Sequence, residues 1–416
     1  MSFEDEESET LTCAECGFKA QLDLIPHIHK EHGLSNYLIS HTGPMTHPVM
    51  DEAWKKHNHG VKRTPVFGGE FELLWNGLRV VMSFEIPPEA CAPAPKNYIL
   101  PEHGKAAEQS QRILRYVNER RSVWIYGTPG IGKDALVHYA SHKFRRPFKF
   151  FSIYPDAKIQ DWFWSIGFQG GESTWIEGSL LKALRDGYVD PTGKRHPYLI
   201  LLSDLDRATP PQVERLRTLL DTDLKRVPLP GGEYAEILEG TTIVATANTM
   251  GEGDDTGRIV SARRVDSSIL NRFQCKVEMR SLEWEDQHEI LKVSHPHSVK
   301  ILEDHKLLPS LQKIVVAIQN DCSSGAIFAE FSLRDMKNIL DEFESLFKMN
   351  ARDPSKSQSQ SQSLESVLMD AFQVYIDGLG QRESKNAVVA LIQPHLKSTT
   401  LFSGDTDHIL WDDLKL

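Results

Sequence analysis

The sequence predicts an α/β fold: a three-layer core, a helical region behind it and a small module bearing cysteine and histidine in front. Three observations carry the prediction. Val123-Trp124-Ile125-Tyr126 is an apolar run that leads into a glycine-rich turn and then into residues able to open a helix. Two further apolar runs, at 198–202 and 241–247, end in polar side chains, as parallel strands do where a sheet gathers ligands at their carboxyl ends. Helical patterns separate these runs, and that alternation builds a parallel sheet.

The chain has 416 residues, enough for two or three domains. A net charge of -11 argues against a protein coated in nucleic acid but leaves room for a local basic patch. No apolar run reaches the roughly 18 residues that cross a membrane. The acidic start, Met1 to Glu7, has no apolar centre and does not read as a secretion signal. Five cysteines, two of them in one Cys-x-x-Cys, point to a reducing compartment, hence the cytoplasm.

Residues 1–35 form the first module. Cys13 and Cys16 offer two thiolates, and His27 and His32 two imidazoles, the ligand set of a tetrahedral zinc site. A core this small needs such a staple. Phe18, Leu24 and His27 keep a Phe-x5-Leu-x2-His spacing, so the segment resembles a Cys2His2 zinc finger. The Cys-to-Phe interval is two residues shorter than in that family, Pro26 interrupts the proposed helix, and His29 is an alternative ligand. With few basic residues here (Lys19, Lys30), protein is at least as good a partner as nucleic acid.

Residues 36–105 read as linker around a small β element, with two strands about the Asn76-Gly77 turn. The α/β core spans 106–283. It contains a helix from Gln109 to Arg120, a second strand at 148–153 and a short helix ended by Gly187. A helix from Pro211 to Asp221 and a hairpin-like stretch at 226–233 follow. Residues 284–350 read as a helical lid, 351–363 as a Ser/Gln linker and 364–416 as a C-terminal tail.

Gly127-Thr128-Pro129-Gly130-Ile131-Gly132-Lys133 has the G-x-x-x-x-G-K spacing of a phosphate-binding loop. The glycines let backbone N–H groups curl round a phosphate, the following helix N-terminus adds its positive dipole end, and Lys133 reaches the outer phosphates. Asp134 stands where a Ser or Thr ordinarily holds Mg²⁺, and Ala135 follows it into the helix.

Together these pieces resemble an AAA+ ATPase of the MoxR-type group and, within it, the small subunit of cobaltochelatase. The resemblance covers roughly 105–345. It is carried by the loop, by Thr246-Ala247-Asn248-Thr249 with its Gly251-x-Gly253-Asp254-x-Thr256-Gly257 tail, and by Asn271-Arg272-Phe273. It implies ATP and Mg²⁺ as cofactors, with structural Zn²⁺ in the front module. Asn248 is implied as the first sensor, Arg272 as an arginine finger (Arg263 or Arg264 being alternatives) and Arg334 as the second sensor on the lid. Partners implied are further copies in a ring of six and a von Willebrand A-type protein.

One departure stands out. Family members follow the apolar strand with Asp-Glu, whereas Leu202 here is followed by Ser203 and Asp204. An ordinary site offers Mg²⁺ a hydroxyl from the loop and a carboxylate from the strand. Here the loop offers the carboxylate of Asp134 and the strand the hydroxyl of Ser203, so the groups have traded places and the charge is unchanged. Asp204 takes the place of the catalytic glutamate and is one methylene shorter, which places its carboxylate about 1–1.5 Å short and predicts a reduced rate. The expected function is a ring-forming ATP hydrolase that remodels a partner protein. The alternatives are an ATP-binding assembly scaffold with little hydrolysis and a nucleic-acid-directed motor recruited through the finger.

Overall fold

The computed structural model describes residues 11–12, 19–20, 64–66, 70–75, 78–83, 86–169, 172–220, 225–253, 262–352 and 363–396. Its central sheet has five parallel strands: β1 (Val123–Tyr126), β2 (Phe148–Ser152), β3 (Leu199–Ser203), β4 (Thr242–Ala247) and β5 (Cys275–Glu278). Their order is β5-β1-β4-β3-β2.

Both faces of the inner strands are covered, which is why they read as unbroken apolar runs. Alternate side chains serve opposite layers. Val123, Ile125, Leu199, Leu201 and Val244 face α1 (Gly104–Asn118) and α2 (Lys133–Lys143). Trp124, Ile200, Leu202, Ile243 and Ala245 face α3 (Ile159–Phe163), α4 (Ser179–Asp186) and α5 (Pro210–Arg217). In α1 the buried residues Ala106, Ser110, Ile113, Leu114 and Val117 recur at three- and four-residue spacing, the stripe a one-sided helix needs.

Three differences from the sequence reading have physical causes. The first core helix starts at Gly104, not Gln109, because Asp286 accepts hydrogen bonds from the backbone N–H groups of Glu102 and His103 (3.0 and 3.1 Å). Such a cap supplied from 183 residues away leaves no local signal. A hairpin of Trp164–Gln169 and Glu172–Glu177 is inserted between α3 and α4. Its Ile166, Phe168 and Ile176 are exposed, so the usual inward-apolar alternation is missing.

The third difference concerns the helical region that follows the α/β core. Its helices are α6 (Trp284–Ser294), α7 (Pro296–Asp304), α8 (Leu308–Ser324) and α9 (Leu333–Arg352). The stretch that reads as a tail adds α10 (Leu364–Ala371), α11 (Gln373–Asp377) and α12 (Arg382–Ile392). Leu368, Phe372 and Ile392 share one apolar core with Ile314, Ile339 and Phe343. The apolar stripe of α9 requires a cover, and the later helices provide it.

Elsewhere Glu70–Trp75 pairs antiparallel with Leu78–Ser83, with Trp75 opposite Leu78; Asn76 and Gly77 lie outside the described residues. The proposed zinc ligands Cys13, Cys16, His27 and His32, and the alternative His29, lie outside the described residues.

Phe372 is fully buried in the lid core. Phe372→Ala is expected to cost about 3–5 kcal/mol, read as a shifted lid transition in urea unfolding. A cost near zero would mean that the later helices are not part of that core.

Candidate functional site

The loop between β1 and α2 bends through positive φ at Gly127 (+148°), Gly130 (+83°) and Gly132 (+89°). At Gly127 a Cβ would stand 2.1 Å from the carbonyl oxygen of Met279, so only glycine fits against β5's exit. Ile131 anchors the turn in the core, and Thr128 and Pro129 complete it. Gly132 precedes α2 without any side-chain cap, so the N–H groups of Lys133, Asp134 and Ala135 open the helix toward the loop.

Lys133 is buried, and its ammonium donates to Gly127 O (2.7 Å), Thr128 O (3.0 Å) and Asn248 Oδ1 (3.1 Å). Burial pushes its pKa below the usual lysine value; the carboxylates of Asp134, Asp204 and Asp206 pull the other way. Lys133 and Asn248 are thus in direct contact.

Asp134 and Ser203 are also brought together. Ser203 Oγ donates to Asp134 Oδ2 at 2.7 Å. The bond runs from the strand end to the start of α2. A residue the sequence reading missed, Thr246 on β4, donates to the other carboxylate oxygen, Oδ1, at 2.6 Å.

Asp204, just past β3, has a left-handed backbone (φ +57°, ψ +45°), which aspartate tolerates better than most residues. Its Oδ2 lies 3.5 Å from Arg207 Nη1. A second missed residue is Asp206, buried completely. Its Oδ2 accepts from the N–H groups of Asn248 (2.8 Å) and Thr249 (3.2 Å), and burial raises its pKa despite these donors. Asp206 therefore holds the turn that presents Asn248. Its only sequence signal is the polar run after an apolar strand, which does not tell one carboxylate from the next.

Arg334, at the start of α9, lines a cavity of about 260 Å³ with Tyr98, Gly132, Ala135 and Ile290. Arg272 does not join this group. Its Nη1 donates to Arg217 O (2.8 Å), and its carbonyl accepts from Ser122 Oγ, just ahead of β1. The loop sits at the opposite end of β1, about 13 Å away at 3.3 Å per residue. Arg263 and Arg264 are exposed, and Arg263 N–H donates to Asp206 O.

Residues 122–273 match the family profile of the AAA domain, dynein-related subfamily. The match covers the loop and four of the five strands of the central sheet. The AAA+ P-loop ATPase fold, a parallel central sheet flanked by helices, is what the strand order describes. Among solved structures, the chain is similar to a RuvB variant from Thermotoga maritima at 12% identity, covering 70% of this chain and 76% of that one, with a TM-score of 0.41. It is also similar to the Thermotoga maritima RuvB Holliday junction branch migration motor, at 11% identity over 65% and 69% of the chains, TM-score 0.38. A Cytophaga hutchinsonii protein assigned as an ATPase matches at 14% identity over 70% and 93%, TM-score 0.32.

The donor set fits the cofactors such a domain takes. A glycine cradle, a helix N-terminus and a buried ammonium suit a phosphate, and a carboxylate beside two hydroxyls offers the hard oxygens magnesium prefers.

Two outcomes follow from this geometry. Gly127→Ala is expected to abolish nucleotide binding by titration calorimetry, because the backbone carbonyl of Met279 cannot yield 2.1 Å of approach. The second concerns His103, whose Nδ1 lies 2.8 Å from Asp286 Oδ1 and ties the segment beside the cavity to the lid. That hydrogen bond raises the histidine pKa above its ordinary value of about 6.5. The protonated contact is therefore fully present below that pH and is lost as pH rises through the raised value. Hydrogen exchange of residues 102–104 is expected to speed up across that rise beyond the intrinsic rate, and His103→Gln to flatten the change.

Proposed function

We propose that this chain is an ATP hydrolase of the MoxR type that works as a ring and remodels a partner protein. The observation that carries the reading is the Ser203–Asp134 hydrogen bond beneath the glycine cradle. Two independent losses of function would leave no such match, whereas a compensated exchange leaves the same bond with donor and acceptor traded.

In this reading Lys133 and the N–H groups at the start of α2 neutralise and orient the phosphates. Asp134 and Ser203 hold a magnesium ion, which when bound screens the charge of the outer phosphates. Asn248 leaves Lys133 as the ammonium turns to phosphate, and its amide then orients the attacking water. Asp204 accepts that water's proton. Arg334 reaches the nucleotide from the lid, so lid position follows occupancy. Arg272, a strand's length from its own loop, acts on the site of a neighbouring copy. That requirement is what supports a ring, and six copies is the stoichiometry of the resembled family. A von Willebrand A-type partner rests on the same resemblance. Structural zinc at Cys13, Cys16, His27 and His32 rests on the resemblance of that segment to a Cys2His2 finger. Zinc there would staple the module.

A second reading is an ATP-binding scaffold with little hydrolysis. It is favoured by one observation: Asp204 is short, and Arg207 on the same turn competes for its carboxylate.

The deciding measurement is magnesium-dependent ATP turnover by the wild type, Asp134→Ser, Ser203→Asp and the double exchange. Each single exchange is expected to lower turnover by about a hundredfold, the scale of a roughly 1 Å misplacement, and the double exchange to restore most of it. Tight ATP binding with no turnover in the wild type, unrescued by the double exchange, would leave the scaffold.

A further inference from the structure

The carboxylate of Asp134 is held at both ends. Ser203 on β3 donates to Oδ2, and Thr246 on the adjacent β4 donates to Oδ1, at 2.7 and 2.6 Å. Both hydroxyl residues are buried, at 4% and 1% exposure, whereas Asp134 itself is partly buried. A threonine hydroxyl has one proton to give, and here it goes to Asp134. Its lone pairs remain, and the backbone N–H of Asp204 donates to them at 3.4 Å. Thr246 therefore touches both the loop carboxylate and the backbone of the residue beside Ser203.

The trade of groups makes this second hydroxyl matter. A loop serine or threonine presents a single oxygen, whose placement its own rotamer decides. A carboxylate has two oxygens on a terminal torsion with a broad, roughly two-fold profile. One hydrogen bond, from Ser203, leaves that torsion free to swing the other oxygen. A bond at each oxygen pins the plane. Each oxygen accepts one proton and keeps lone-pair capacity for a cation.

We propose that Thr246 is a positioning residue for the metal side of the site. It locks the plane of the Asp134 carboxylate so that both oxygens stay available to a magnesium ion, and it couples that plane to Asp204. The inference rests on the reading above that Asp134 holds the cation.

The test is calorimetric titration of the full chain with a non-hydrolysable ATP analogue, once in magnesium chloride and once in EDTA. The quantity read is the ratio of the two affinities. Thr246→Val keeps the shape and removes the hydroxyl. It is expected to bind in EDTA as the wild type does, and to lose at least about tenfold of the magnesium-dependent gain, the scale of a lost hydrogen bond to a charged group. Thr246→Ser, which keeps the hydroxyl, is expected to retain the gain, and it carries the test if the valine variant does not fold. A wild-type ratio in Thr246→Val, or a loss in Thr246→Ser as large as in the valine variant, overturns the proposal. An equal loss in EDTA and in magnesium marks a structural residue and overturns it too. A wild type that binds the analogue with no gain from magnesium overturns the reading of Asp134 as the metal ligand, and this inference with it.

Discussion

A carboxylate at the start of a helix, hydrogen-bonded by hydroxyls from two adjacent strands, is the interaction on which the rest of this site depends. Asp134 sits at the seam between the loop and the carboxyl end of the sheet. Ser203 and Thr246 reach it only because β3 and β4 are neighbours in the order β5-β1-β4-β3-β2. Strand order, set by burial of alternate apolar side chains on two faces, thus decides which polar groups meet at the edge. The apolar core and the polar cluster are two consequences of one packing.

From that seam the polar contacts spread outward. Lys133, next in sequence to Asp134, joins the loop carbonyls to Asn248. Asp206 grips the backbone at Asn248 and Thr249 from the other side. Four elements therefore converge on one small volume, and a change at any of them is felt at the others. In a buried setting such networks are strong when every member is satisfied; here Asp206 Oδ2 is satisfied and its buried Oδ1 accepts no hydrogen bond from the described residues. The lid meets the core at the loop's other flank, where Arg334 and the segment tied down by Asp286 border one cavity. The helices of 284–352 and the later helices share one apolar core.

Much of this was legible in the residues. The loop, the strand ends at Ser203 and Asn248 and the Asn-Gly hairpin carry local signals, because glycine freedom, apolar runs and turn chemistry are properties of a few adjacent residues. The pairing of Asp134 with Ser203 could be read only because each stands at a fixed offset from a recognisable motif. Thr246 and Asp206 were missed for a physical reason. A threonine inside an apolar strand is ordinary, and which of several carboxylates after a strand turns inward depends on backbone twist that no spacing encodes.

What the sequence determined by itself was the class of fold and the chemistry on offer, since these follow from periodicity, glycine placement and the side chains present. What only the tertiary structure decided was who meets whom. The cap on α1 from Asp286, the membership of residues 364–396 in the lid core, the second hydroxyl on Asp134 and the separation of Arg272 from its own loop all join or part residues distant in the chain. Such contacts arise from how whole layers stack, and a local stretch of sequence holds no record of the layer that will cover it.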